Sequence, residues 1–367
     1  MKKDSKSLYY KEYLKLDELL SIQSPRSKEL GKEAHDETLF IIVHQVYELW
    51  FKLFLHELDF IIKLFREEEI DESNIGRGVA ALNRILEIQE LSIRQIRLLE
   101  TMTALDFLEF RDFLFPASGF QSVQFRLIEN KLGLDGSMRL KYGSSSYKMP
   151  LKKSDESTVT KSENQPSLFS LIEAWLERTP FLEFKNFLFW DQYSEAVKNM
   201  LAEDRKRISE NPNVSADEKA FHLKEYASTE ANFDAIIDDK AHDDLIKSGH
   251  RRLSHKATQA ALLIFLYRDH PILHLPFKLL SKLIDLDESL TAWRHQHALL
   301  AQRMIGTKIG TGGTTGNTYL SKAAETHKVF TDFANLSTYL IPRSALPDLP
   351  ENIIKNLGFY YSPSSDS

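Results

Sequence analysis

The run from His35 to Phe65, HDETLFIIVHQVYELWFKLFLHELDFIIKLF, contains neither proline nor glycine, and its apolar residues occupy every side of a 3.6-residue wheel. That pattern predicts a long helix buried all round, with Asp36 as its N-cap, and the rest of the chain must be arranged around it. Inside this apolar rod stands His44. Phe40 lies one turn before it, and Tyr47, Glu48 and Phe51 follow on the same face at three, four and seven residues. Two readings fit such a histidine: a core imidazole hydrogen-bonded to a neighbour, or a pocket imidazole facing a ligand enclosed by aromatic rings.

Composition narrows the chemistry. The chain has 47 basic and 53 acidic residues and a formal charge of −6, so it carries no electrostatic footprint for nucleic acid or an anionic membrane. It has no cysteine. Disulfides, zinc–thiolate and iron–sulfur sites and a thiolate haem ligand are thereby excluded, and any transition metal must rely on histidine, carboxylate, tyrosine or methionine. The charged N-terminus MKKDSKSLYYKEYLKLDELL lacks an apolar signal core, and no run of about 18 uncharged apolar residues occurs. Cytoplasmic residence is the expectation. The 23 phenylalanines and 13 tyrosines suit a deep aromatic pocket as well as a core.

Along the chain, residues 8–22 read as a short amphipathic helix, with Tyr10 and Tyr13 near its start, and residues 76–104 as the next long helix. The segment from Leu105 to Gln124 sets phenylalanines around a single arginine and then breaks at Pro116 and Gly119. Residues 135–167 are rich in Ser, Lys, Thr and Gly and read as a long variable loop. Helical periodicity resumes at Ser167 and stops before Pro180. Residues 192–248 read as a charged helical excursion, an exposed hairpin turning at NPNVS, and apolar character returns from Arg251. With no fixed repeat, no alternating strands and no G-x-G-x-x-G, the expectation is an all-α, bundle-like single core over residues 1–367.

The stretch from Asp287 to Gly306 carries acids at its start, Arg303 in its last turn and a stopping glycine, the signals of a bounded helix. Leu290, Trp293, His297, Leu300 and Met304 form one apolar stripe, so His297 faces inward, whereas His295 lies about 200° away and faces outward. With thiolate excluded, an imidazole in an aromatic cavity is the usual axial donor to haem iron. The chain lacks H-E-x-x-H and the paired Glu-x-x-His of a di-iron bundle, so a carboxylate metal centre is disfavoured.

Three polar features could serve a substrate in the same cavity. Arg111 stands among Phe107, Phe110 and Phe113 and calls for an anionic partner, either a structural carboxylate or a ligand carboxylate held by its planar fork. Ser118, in the turn FPASGF, offers a hydroxyl. The loop from Gly306 to Tyr319, GTKIGTGGTTGNTY, lacks the Gly-Lys-Ser/Thr ending of a P-loop and reads as a flap lending Thr311 to bound substrate.

Seven blocks carry a family resemblance: YKEYL at 10–14, HDETLFIIVHQVYELWFK at 35–52, ETMTALDFLEFRDFLFPASGFQSVQFRLIENK at 100–131, EAWLERTP at 173–180, WRHQH at 293–297, GTGGTTG at 310–316 and LSTYLIPR at 336–343. In order and over nearly the whole chain, they resemble the tryptophan 2,3-dioxygenase family. The resemblance implies a mostly helical homotetramer with one haem b per chain, ferrous in the active state. His297 would be the iron ligand, with Trp293 and Ser118 beside the haem. His44 would lie near the indole nitrogen, Phe40 against the indole ring, Arg111 on the substrate carboxylate and Thr311, together with a haem propionate, on its ammonium group. Tyr10 and Tyr13 would reach into a neighbouring subunit's pocket. The implied reaction takes L-tryptophan and dioxygen to N-formylkynurenine, the first step of tryptophan catabolism by the kynurenine route. Two alternatives use the same pocket: a related haem oxygenase acting on a modified indole, and a haem- or tryptophan-binding sensor without turnover.

Overall fold

The computed structural model describes residues 7–140, 146–178, 189–308 and 316–351, together with 354 and 357. Helices, and no strand among the described residues, carry the fold. In chain order they are α1 (Tyr10–Tyr13), α2 (Leu16–Leu19), α3 (Arg26–Glu29), α4 (His35–Phe65), α5 (Glu72–Leu99), α6 (Ala104–Arg111), α7 (Val123–Leu132) and α8 (Lys153–Glu163). Then come α9 (Leu168–Glu177), α10 (Phe189–Glu210), α11 (Ala216–Ile237), α12 (Asp239–Lys247), α13 (His255–Leu266), α14 (Pro271–Ile305), α15 (Gly316–Thr326) and α16 (Thr331–Asn335).

The contacts divide the chain into two compact units, neither a contiguous stretch of sequence. The first comprises residues 1–56, 86–165 and 289–327; the second comprises 57–85, 166–288 and 328–367. Helices α4, α5 and α14 each contribute residues to both.

In the first unit, α4 departs from the expected all-round burial. Val43, Tyr47 and Phe51 are buried, but Ile42 and Leu49 are 44% and 48% exposed, and His44 opens onto a cavity. By length and composition α4 is also the one described helix that could cross a membrane, with mean hydropathy 1.3. Its exposed leucine and isoleucine are matched by Leu91 and Leu98 of α5 and Leu105 of α6, which are likewise exposed. Asp36 lies in the first turn rather than at the cap, because the helix begins at His35. It is Glu37, buried, that anchors this end, accepting from the backbone N–H groups of Arg26 and Ser27 at 2.7 and 2.8 Å.

The N-terminal helix expected over 8–22 is two single turns, α1 and α2, separated by Lys15 in the left-handed region at φ 55°. Neither turn has a buried residue, and helices this short are marginal without packing. The loop expected over 135–167 is also corrected: residues 153–163 form α8. Its one buried apolar residue is Val159, and polar bonds hold it instead. Asn130 of α7 donates to the Val159 carbonyl at 3.2 Å and to the Ser162 hydroxyl at 2.7 Å.

In the second unit, α10 and α11 form the expected charged hairpin, with a capping box of Ser215 and Glu218 opening α11. Its buried side is anchored by Tyr193, whose hydroxyl donates to the Tyr339 carbonyl at 2.6 Å. The bounded helix expected over 287–306 is the last part of α14, which starts at Pro271 and runs through Pro276. Asp287 therefore lies mid-helix. It is buried, and its carboxylate accepts the backbone N–H groups of Val329, at 2.9 Å, and Phe330.

Candidate functional site

The first unit encloses a cavity of about 340 Å³, a size suited to a small molecule or cofactor. Helix α4 presents Phe40, His44, Tyr47, Glu48 and Phe51 to it, the face expected from their three- and four-residue spacing. Opposite chain segments bring Phe107 and Arg111 from α6, Ser118 and Phe120 from the following turn, Phe125 from α7, Trp293 and His297 from α14, and Tyr319 from α15.

Two aromatic groups form the walls. Phe40 packs against His44 at 4.1 Å between ring centroids and against Phe107 and Phe110 at 5.7 and 5.6 Å. In the second group, Phe125 meets Trp293 at 5.1 Å and Phe51 at 5.4 Å, and Trp293 meets His297 at 5.4 Å. Rings at these separations attract beyond simple area burial and leave little freedom for their neighbours.

The two histidines are chemically distinct. His44 Nδ1 lies 2.7 Å from the Phe40 carbonyl oxygen. A carbonyl only accepts, so Nδ1 carries the proton and the neutral ring leaves Nε2 as an acceptor. Burial lowers the basicity of His44, against smaller raising contributions from the Phe40 carbonyl and the Glu48 carboxylate. His297 makes no hydrogen bond among the described residues, and its Nδ1 is buried. Burial first, and the proximity of His44 second, push its pKa down to about 4. A neutral imidazole of this kind keeps a lone pair available for a metal. Among the described residues no three His, Asp or Glu side chains converge, so a metal here must bring further ligands of its own. The cavity, its apolar walls and the neutral donor fit a haem.

The polar residues fall in different places. Arg111 lines the cavity with its side chain 16% exposed, and the solvent-facing Asp112 carboxylate lies 4.0 Å from it. Ser118 also lines it, with its hydroxyl accepting from the Phe120 N–H at 3.4 Å. Tyr10 and Tyr13 are not brought to the cavity: in the single chain they are 71% and 67% exposed. Thr311 lies outside the described residues. His295, as its position on the wheel requires, is exposed.

Sequence reasoning missed a buried charge cluster at the cavity floor. Glu129 of α7 is met by Arg139 at 2.7 Å, Arg126 at 3.1 Å and Arg294 at 3.2 Å, and by His327 Nδ1 at 3.5 Å. Despite complete burial, these cations hold its carboxyl well below the usual carboxylate range. His327 Nε2 accepts the Leu140 N–H at 3.2 Å, which places its proton on Nδ1, facing Glu129. The faint signal was Arg126 and Glu129 at i, i+3 on α7, an oppositely charged pair that the helix buries.

The sequence model of the tryptophan 2,3-dioxygenase family matches residues 1–340 of this chain. The chain is 50% identical to the tryptophan 2,3-dioxygenase of Bdellovibrio bacteriovorus over 354 residues, covering 96% of this chain and 99% of the relative. It is 46% identical to that of Dictyostelium discoideum over 358 residues, 97% and 90% of the two chains. With the enzyme of Mus musculus it shares 43% over 362 residues, 98% and 88%.

Proposed function

The chain belongs to the tryptophan 2,3-dioxygenase family and catalyses its reaction, insertion of both atoms of dioxygen across the indole 2,3 double bond of L-tryptophan, and we propose that it does so with haem b bound through His297. The observation that carries the cofactor assignment is the neutral, unbonded imidazole of His297 on an apolar cavity shared with a second neutral histidine. Ferrous haem supplies the site at which dioxygen is bound and activated. Everything else is done by side chains of the protein.

His44, its Nδ1 engaged by the Phe40 carbonyl, turns an acceptor nitrogen to the cavity and takes the indole N–H as a hydrogen bond. An indole N–H is very weakly acidic, so His44 orients the ring and does not act as an obligatory base. Phe40 and Phe107 pack on the indole and exclude water. Arg111 takes the substrate carboxylate with its planar fork, and Thr311 takes the ammonium group; two fixed ends select the L-enantiomer and align the 2,3 bond.

The assembly is a homotetramer in which Tyr10 and Tyr13 complete a neighbouring subunit's pocket. Their exposure in the single chain, with that of Leu8, Ile42, Leu49, Leu91 and Leu98, supports this: so many large apolar side chains in water mark a surface that another chain covers.

The deciding experiment is an anaerobic absorption spectrum of the reduced, haem-loaded protein, followed by L-tryptophan and air. A five-coordinate ferrous spectrum and N-formylkynurenine formed without consumption of reductant are expected. Stoichiometric haem without product would favour a sensor or an oxygenase of a modified indole, and failure to take up haem would overturn the role of His297.

A further inference from the structure

Three guanidinium groups converge on the single buried carboxylate of Glu129, and their hydrogen bonding is unequal. Arg139 gives one terminal nitrogen to Glu129 and the other to Asn130. Arg294 gives one to Glu129, at 3.2 Å, and the other to the His327 carbonyl, at 2.9 Å. Arg126 gives only Nη1, to Glu129 at 3.1 Å. Its Nε is buried without a partner, and Nη2 makes no hydrogen bond among the described residues. Of the three, Arg126 thus keeps a free Nε–Nη2 edge, the planar fork that matches a carboxylate bidentately.

Charge points the same way. His327 is neutral, so the cluster sets three positive charges against one negative one, and the next acid in the field of Arg139, Glu163, is already engaged by Lys148 at 2.7 Å. A buried surplus of cations is costly unless an anion joins it. Arg126 is 6% exposed and lines the cavity, so an anion reaching it comes from within that cavity.

We infer that the free edge of Arg126 is a carboxylate subsite at the cavity floor and that, on the haem reading above, its occupant is a haem propionate. The substrate's carboxylate is the other carboxylate that enters this cavity, and Arg111 is the cation already assigned to it. The neighbour of Arg126, Phe125, packs on Trp293, one turn before His297, whereas Arg111 stands with Phe107 beside Phe40 and His44. Arg126 therefore serves the group that His297 holds.

The test is haem retention, read by transfer of haem from the loaded protein to an excess of apoglobin, using haem b and its dimethyl ester, with wild type and Arg126→Met. Wild type should lose the ester at least tenfold faster than the free acid. Arg126→Met should lose the free acid about as fast as wild type loses the ester, and should no longer distinguish the two. Because the substitution removes a surplus cation, the haem-free variant should unfold at a urea concentration no lower than wild type. Equal acceleration for both haems would mean a merely structural residue, and a raised KM for L-tryptophan with unchanged haem retention would assign the subsite to substrate; either overturns the inference. A wild-type protein that takes up neither haem refutes the cofactor reading itself, a result distinct from haem bound without discrimination. Should Arg126→Met not fold, Arg126→Lys replaces it: a reduced advantage of the free acid supports the subsite, and an undiminished one overturns it.

Discussion

His44 and His297, on α4 and α14, line one cavity closely enough that charge on His44 disfavours charge on His297. Burial above all keeps both rings neutral, the form the proposed roles require, an acceptor toward substrate and a lone-pair donor toward iron. Replacing His297 by alanine removes the donor and leaves the cavity otherwise intact. The His297→Ala protein should purify with little haem, and imidazole added at millimolar concentration should restore haem binding and its absorption spectrum. A variant that keeps its full haem complement and activity without imidazole would refute the ligand assignment.

The same neutrality makes the haem-free protein acid-sensitive. His297 titrates near 6.5 when unfolded and about 4 when folded, so between those values the unfolded chain binds more protons. Its stability is complete above about pH 6.5 and is lost as pH falls toward 4, by on the order of 3 kcal/mol at 1.36 kcal/mol per unit. His44, His242 and His327 are lowered as well and act with the same sign. Urea midpoints of the haem-free protein at pH 7.5 and pH 5.0 should differ accordingly, and by less in His297→Leu. Equal midpoints for wild type at the two pH values would sink the account.

Arg111 should report on substrate carboxylate. Loss of a desolvated charge pair costs about 2–5 kcal/mol, so Arg111→Leu should raise KM for L-tryptophan by at least roughly thirtyfold, while leaving haem content unchanged. Tryptamine, which lacks the carboxylate, should bind wild type and variant alike. A KM that does not move would remove Arg111 from the substrate site.

Much of this site is legible in the sequence because it is local. Phe40, His44 and Phe51 share a face by helical spacing alone, and Trp293 and His297 do so on α14. The rest depends on groups distant along the chain. Beyond the i, i+3 spacing of Arg126 and Glu129, nothing announces that Arg294 and His327 will meet the same carboxylate, since pairing across more than a hundred residues leaves no periodic trace. Helix α8 escaped for a related reason: it is fixed by Asn130 through polar bonds, while periodicity registers only apolar burial. The start expected near Asp287 lies within one longer helix, α14, because the acid that reads as an N-terminal signal there serves a buried contact instead.

The Glu129 cluster should be a point of failure for the whole first unit. Glu129→Gln keeps the shape but removes the only carboxylate among three buried guanidiniums, a change of the kind that costs about 3–5 kcal/mol. The pH dependence has the ordinary sign of a carboxyl lowered on folding: its contribution is complete above the unfolded value and, because the carboxyl is held well below its usual range, persists until pH falls far under 4.5. At pH 7 the variant should unfold at a clearly lower temperature by circular dichroism. Wild-type stability in Glu129→Gln would mean that the guanidiniums find other partners.

Assembly gives a final expectation, and it concerns residues with no place in the chemistry. Leu98 of α5 is 52% exposed and Ile42 of α4 is 44% exposed, and both are leucine or isoleucine where a solvated helix face would carry charge. If another subunit covers them, a carboxylate there must be buried without a partner, which is far more costly than leaving it in water. Leu98→Glu should therefore shift the protein from tetramer to a smaller species in light scattering, with helicity retained. Activity should fall with it on the proposal that Tyr10 and Tyr13 complete a neighbour's pocket. Mixing Leu98→Glu with wild type should restore little, since the altered face is needed on each chain. A Leu98→Glu protein that remains tetrameric and fully active would show that this apolar surface is not the one that holds the subunits together.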